Sequence, residues 1–119
     1  MRDKPSFERK KIMLTDLEKK LLPSILVSTF NGDRIDLNKD WAENSFHFEN
    51  EDYFESIVDT KIFSRWSGMD VPTIKGVIGS LVKKGLITLV EDIDSDDRPM
   101  NWLLIYQNQF DLIKQAVAE

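Results

Sequence analysis

Asp92, Asp94 and Asp96 occupy every second position of the stretch "EDIDSDDRP" (91–99), the spacing of the first three ligands of a calcium loop. The motif does not close. Its sixth position, where the sharp turn calls for glycine, is Asp97, and its twelfth, where a bidentate glutamate would complete the coordination sphere, is Leu103. No metal site is expected there. Other reactive groups are few. The chain has no cysteine, so thiolate metal sites, disulfides and cysteine nucleophiles are all excluded, and a reducing compartment, the cytoplasm, is the expected location. Its one histidine, His47, lies in an acidic region with no nucleophile motif nearby, and a lone histidine is more often structural than catalytic. Gly76 and Gly79 fall inside a helical pattern rather than between a strand and a helix, which rules out a phosphate-binding loop. The sequence therefore points away from an enzyme and from a bound cofactor. What remains is Arg98, a single guanidinium among five carboxylates, and a group of cations upstream of it.

Those cations are segregated along the chain. The net charge of −5 divides into +3 over residues 1–20, −7 over 21–60, +4 over 61–90 and −5 over 91–119. The basic third segment holds Lys61, Arg65, Lys75, Lys83 and Lys84 against Asp70 alone. A basic element between two acidic ones can attract an anionic partner at one place while the whole molecule stays acidic. With 119 residues, 41% of them hydrophobic and 31% charged, the chain suits one globular domain, 1–119, rather than a disordered one. No apolar run reaches the length of a membrane span, and "MRDKPSFERKK" at the start has charge but no apolar core of a secretory signal, so no membrane association is expected.

The elements that must position these groups follow from periodicity. "LTDLEKKLLPSILVSTF" begins with capping-box spacing at Thr15 and Glu18 and keeps a helical stripe through Leu17, Leu21, Leu22, Ile25, Leu26 and Phe30, with Pro23 expected to kink or split it. Residues 31–58 form an acidic, aromatic-anchored insertion. Trp41, Phe46, Phe48, Tyr53 and Phe54 are its expected anchors, with a short helix near 51–58 and its acids on a solvated face. Ile62, Phe63 and Trp66 suit a short helix stopped by Gly68, and Asp70 is placed to cap a second helix in which Pro72 falls in the first turn. That helix is the clearest pattern in the chain: Ile74, Val77, Ile78, Leu81 and Val82 repeat at helical spacing before Lys83, Lys84 and Gly85 end it. "LITLVEDI" and "MNWLLIYQ" read as an antiparallel hairpin around the acidic turn, and a last short helix carries Phe110, Ile113 and Val117 on one side. The fold class expected is α+β, mainly helical, a winged helix-turn-helix with a two-stranded β-hairpin wing.

At this point "GMDVPTIKGVIGSLVKKGLITLVEDIDSDDRP" resembles the corresponding stretch of the multiple-antibiotic-resistance regulator (MarR) family. The shared features are a helix opening "PT", an "LxxKGLI" end leading into a strand, and a "D-x-D-D-R" tip from Asp94 to Arg98, all within residues 62–106. The resemblance implies a transcription regulator that binds duplex DNA as a homodimer, with recognition helix 71–84 in the major groove and Arg98 of wing 91–99 in the adjacent minor groove. A narrow minor groove attracts a guanidinium, and neighbouring carboxylates can hold that group extended. On the helix, Thr73, Lys75 and Ser80 are the candidates for bases or phosphates, while Lys61, Arg65, Lys83 and Lys84 would contact the backbone. Gly76 stands where the family often places a long polar side chain. A second function class fits the acidity: a winged-helix protein-interaction module or small inhibitor that does not bind DNA and engages a protein partner through 31–59.

Overall fold

The computed structural model describes residues 12–118. The reading of the first eleven residues as lacking a secretory signal therefore lies outside the described residues. Within them, five helices and three strands follow in the order α1 (Asp16–Ile25), α2 (Trp41–Ser45), β1 (Tyr53–Ile57), α3 (Thr60–Ser67), α4 (Val71–Lys83), β2 (Thr88–Ile93), β3 (Pro99–Tyr106) and α5 (Gln107–Ala118). The strands form one antiparallel sheet in the order β1-β3-β2, so the fold is α+β. No described helix is long and apolar enough to cross a membrane.

Helix α1 starts as its capping box requires. Thr15 Oγ1 accepts the Glu18 N–H at 3.1 Å, and Glu18 Oε1 accepts the Thr15 N–H at 2.8 Å, which satisfies two of the donors that a helix start leaves unpaired. The helix ends at Ile25, earlier than its apolar stripe suggests. Pro23 lacks the N–H that would bond the preceding turn, and the helix runs only two residues beyond it. Leu21, Leu22 and Ile25 are buried, whereas Leu17 and Phe30 from the expected stripe are exposed, Phe30 because it lies past the helix end. After α1 the chain folds back: Ile35 N–H donates to Leu26 O at 2.9 Å, Ser28 N–H donates to Asp33 O at 2.8 Å, and Gly32 takes the left-handed φ of 81° that the turn needs.

The 31–58 insertion departs most from expectation. Its short helix lies at 41–45 rather than 51–58, started by a capping box of Asp40 and Glu43. Residues 53–57 are instead a strand, and they add a third strand to what the sequence suggests is a two-stranded wing. The alternation in "YFESI" explains it: Phe54 and Ser56 turn to the core and pair in register with Ile105 and Leu103, while Tyr53, Glu55 and Ile57 face the other way. Thr29 covers the free edge of β1, with its hydroxyl donating to Ile57 O at 2.6 Å. Of the expected anchors, Phe48 and Phe54 are buried, Trp41 packs on Phe48 and Phe110, and Tyr53 is half-buried. Phe46 anchors nothing; it is 75% exposed.

One core joins these pieces. Leu21, Ile25, Phe54, Phe63, Ile74, Leu81, Leu103, Ile105, Phe110 and Ile113 are its centre, drawn from α1, α3, α4, α5, β1 and β3. Removing any of the large members leaves a cavity that costs about 2–5 kcal/mol. In α5 the inward positions are Phe110, Ile113 and Ala116, and Val117 points outward. Buried Gln109 locks α5 to the preceding elements: its Nε2 donates to Gly85 O at 3.2 Å and Thr88 Oγ1 at 2.9 Å, and its Oε1 accepts the Tyr106 N–H at 3.1 Å.

Candidate nucleic-acid interface

The α3–turn–α4 unit is fixed by local chemistry. Asp59 caps α3 by accepting the Ile62 N–H at 3.0 Å, and Gly68, at φ 76°, ends it while its N–H donates to Ser64 O. The Ser64 hydroxyl donates to Met69 O at 2.6 Å, and buried Met69 pins the turn to the core. Asp70 then caps α4 by accepting the Thr73 N–H at 2.9 Å. The Thr73 hydroxyl beside it, together with that N–H, holds the Asp70 carboxyl below its usual range. Thr73 thus stands half-exposed at the start of α4, already engaged with its own cap.

Burial on α4 divides its faces. Ile74, Val77, Ile78 and Leu81 face the core, while Pro72, Lys75, Gly76, Gly79 and Lys83 are exposed. Lys75, Gly79 and Lys83 are spaced four apart, so they form one strip with Gly76 beside it. A Cβ added at Gly76 or Gly79 would meet nothing within 4 Å, so neither glycine is demanded by the packing of this chain. On α3, Lys61 and Arg65 share an exposed face by the same spacing. Among the described residues no carboxylate pairs with Lys61, Arg65, Lys75 or Lys83, since the ion pairs present belong to Lys84 and Arg98.

Ser80 and Lys84 are placed differently from the other candidates. Both reach back to α1, where Glu18 is fully buried. Ser80 Oγ donates to Glu18 Oε2 at 2.6 Å and Lys84 Nζ to Glu18 Oε1 at 2.6 Å; Lys84 also donates to Met13 O. Burial pushes the Glu18 carboxyl up, but hydrogen bonds from Lys84, Ser80 and the Thr15 backbone outweigh it and hold the group below its usual range. These two residues join α4 to α1 and leave the exposed set. Periodicity puts Ser80 at the edge of the outer face and cannot show what lies opposite. Glu18 already had a reason to be glutamate, the capping box, so no second role was visible in sequence.

At the hairpin tip the acids organise the loop. Asp94 O accepts the Asp97 N–H at 3.0 Å to close a turn, and Asp97 takes a left-handed φ of 61°. The Asp94 carboxylate accepts the N–H groups of Asp96 and Arg98 at 2.8 and 2.9 Å. The Arg98 guanidinium lies between two acids, Nε 3.4 Å from Asp94 Oδ2 and Nη2 3.0 Å from Asp96 Oδ2, with its side chain 72% exposed. The Arg98 N–H first, then the Asp96 N–H and the Arg98 charge, hold the Asp94 carboxyl below its usual range. Asp94, the would-be third-position ligand of a calcium loop, is committed to this turn. Among the described residues no group of three acidic, histidine or cysteine side chains is arranged to hold a metal ion. His47 is exposed, its ring against Phe46.

Sequence reasoning did not anticipate an open apolar groove of about 640 Å³ between the second half of α1, residues 34–37 and Val117. Nor did it anticipate the aromatic outer face of the sheet, because that face exists only once β1 joins β3. Comparison with protein-family models, with curated proteins and with solved structures finds no match for this chain.

Proposed function

We propose that this chain is a winged helix-turn-helix regulator that binds double-stranded DNA in the cytoplasm, with α4 as recognition helix and the 91–99 turn as wing. The order β1-α3-α4-β2-β3 after the two helices α1 and α2, and the glycine-ended turn between α3 and α4, support that class, as does the likeness of residues 62–106 to the MarR family. The observation that carries the proposal is the set of exposed cations without carboxylate partners among the described residues: Lys61 and Arg65 on α3, Lys75 and Lys83 on α4. Unpaired surface cations grouped on a helix pair suit phosphate contacts, which release counterions and supply most of the affinity. Arg98, held by Asp94 and Asp96, suits the minor groove, and half-exposed Thr73 at the start of α4 is a candidate for a base edge. The MarR likeness extends the proposal to a homodimer on a two-fold site.

The test is binding of the full chain to a library of genomic DNA fragments, read by retention at low salt and repeated as salt rises. The expected result is retention of a defined fragment that weakens steeply with salt and weakens further in Lys75→Ala and Arg98→Ala. Absence of retention at low salt, or variants that bind as well as the parent, would overturn it. The protein-interaction reading keeps one specific support, the outer face of the sheet.

A further inference from the structure

The sheet has two faces of different chemistry. Phe54, Ser56, Leu103 and Ile105 point into the core, and the alternate residues form an outer face in three cross-strand rows: Tyr53 with Tyr106, Glu55 with Leu104 and Thr88, and Ile57 with Trp102 and Val90. The Tyr53 and Tyr106 rings lie 5.5 Å apart, and Phe30 packs edge-on against Trp102 at 4.9 Å. Leu104 is buried although it is not part of the main core, so its cover comes from this outer side. The face is nevertheless open: Tyr106, Val90 and Phe30 are 38%, 42% and 48% exposed. Large rings left half in water on a sheet are an unusual use of apolar surface and mark an interaction site.

Charge indicates what covers it. Glu55 stands in the middle row, half-buried, and Asp33 and Glu49 are close enough to add to the effect of burial in pushing its carboxyl up. Glu49 N–H donates to Asp33 Oδ2 at 3.3 Å, which keeps those two acids together. Asp92 adds a fourth carboxylate on the same face of β2, opposite Met100. No Lys or Arg pairs with Asp33, Glu49, Glu55 or Asp92 among the described residues. Nucleic acid is repelled by such a surface. A second copy packed by two-fold symmetry on this face would set one acidic centre against another. A basic partner meets both features at once, because a guanidinium stacks on tyrosine and tryptophan rings and pairs with a carboxylate between them.

We propose that the outer face of the β1-β3-β2 sheet docks an arginine-bearing apolar segment of a partner protein, with Glu55 as the charge partner and Tyr53, Tyr106 and Trp102 as the stacking platform. This surface is made of different side chains from the cation set of α3 and α4, although it shares the β2-β3 hairpin with the 91–99 turn.

The experiment is a titration of the full ¹⁵N-labelled chain with acetyl-Arg-Leu-Arg-Leu-Arg-Leu-amide, and in parallel with the peptide in which each arginine is glutamate. The expected result is saturable shifts of the Trp102 indole and of the amides of Tyr53, Glu55, Ile57 and Tyr106 with the arginine peptide alone. Glu55→Gln, which keeps shape and hydrogen-bonding capacity, should weaken binding about tenfold, the loss of one charge-assisted contact. Tyr106→Ala, at an exposed ring, should do the same without loss of the native spectrum. Any of four results overturns the proposal: no shifts at millimolar arginine peptide, equal shifts with the acidic peptide, shifts confined to other faces, or self-association of the parent abolished by Tyr106→Ala. None of them bears on DNA retention, so this proposal and the preceding one fail independently.

Discussion

Glu18 shows how one buried residue can decide what its neighbours are free to do. Its carboxylate is out of water and is acceptable there only because Lys84, Ser80 and the Thr15 N–H all donate to it. Lys84→Ala should therefore cost about 3 kcal/mol of unfolding free energy, the lower end of the range for a broken buried pair because the lysine is itself partly solvated. Denaturant melts at neutral pH measure it. Glu18 also titrates with folding. Its folded pKa lies below the unfolded value of 4.5, so its contribution is complete above that pH and disappears as pH falls through the folded pKa. Stability of the parent should accordingly fall more steeply than that of Glu18→Gln as pH drops below about 4.5, and parallel pH profiles would refute the assignment. At the hairpin tip, Asp97 occupies a left-handed conformation that glycine adopts at no steric cost. Asp97→Gly should leave the fold intact and raise stability by roughly 0.5 kcal/mol, whereas Asp97→Val should lower it by 1–2 kcal/mol or about that.

Among the elements, α4 was legible from sequence because its cap, its 3.6-residue stripe and its glycine stop agree with one another, and the structure sets it at Val71–Lys83. Strand β1 was not. Its five residues alternate too briefly to outweigh a helical reading, and its partner β3 is nearly fifty residues away, so the pairing that makes it a strand is invisible locally. The same distance hid the outer sheet face and, with it, the rings around Trp102. Cations at 61, 65, 75 and 83 were legible because exposure follows directly from the stripe, while Ser80 and Lys84 were misplaced because their partner lies on α1, more than sixty residues away. The glycines of α4 carry a prediction of their own. Gly76→Ala and Gly79→Ala each add a methyl group in open space and remove a helix-destabilising residue, so each should raise stability by up to about 1 kcal/mol. If DNA backbone lies against this strip, the same two variants should bind DNA more weakly despite being more stable. Opposite signs in melting and binding are the result to look for, and stabilised variants with undiminished affinity would show that nothing approaches α4 closely at these positions.

For the whole molecule, the arithmetic of charge sets the terms on which DNA binding is possible. A chain of net −5 is repelled from DNA at long range, and only the separation of its basic 61–90 segment from the acids on either side gives a short-range attraction. Affinity alone would not reveal how many cations take part, but the salt dependence does, because each neutralised phosphate contributes about −0.9 to the slope of log K against log salt. If Lys61, Arg65, Lys75 and Lys83 all reach phosphates, the slope per subunit should be about −3.6. Lys75→Ala, Lys83→Ala and Arg65→Ala should each make it shallower by roughly 0.9. Lys84→Ala is the control: it removes the same charge from the end of the same helix, but its ammonium faces Glu18 and the Met13 carbonyl. Measured well below its melting temperature, that variant should keep the parent slope. A slope that falls equally for Lys84 would mean that net charge, not the arrangement on α3 and α4, governs binding; a slope unchanged by Lys75 and Lys83 would remove α4 from the interface.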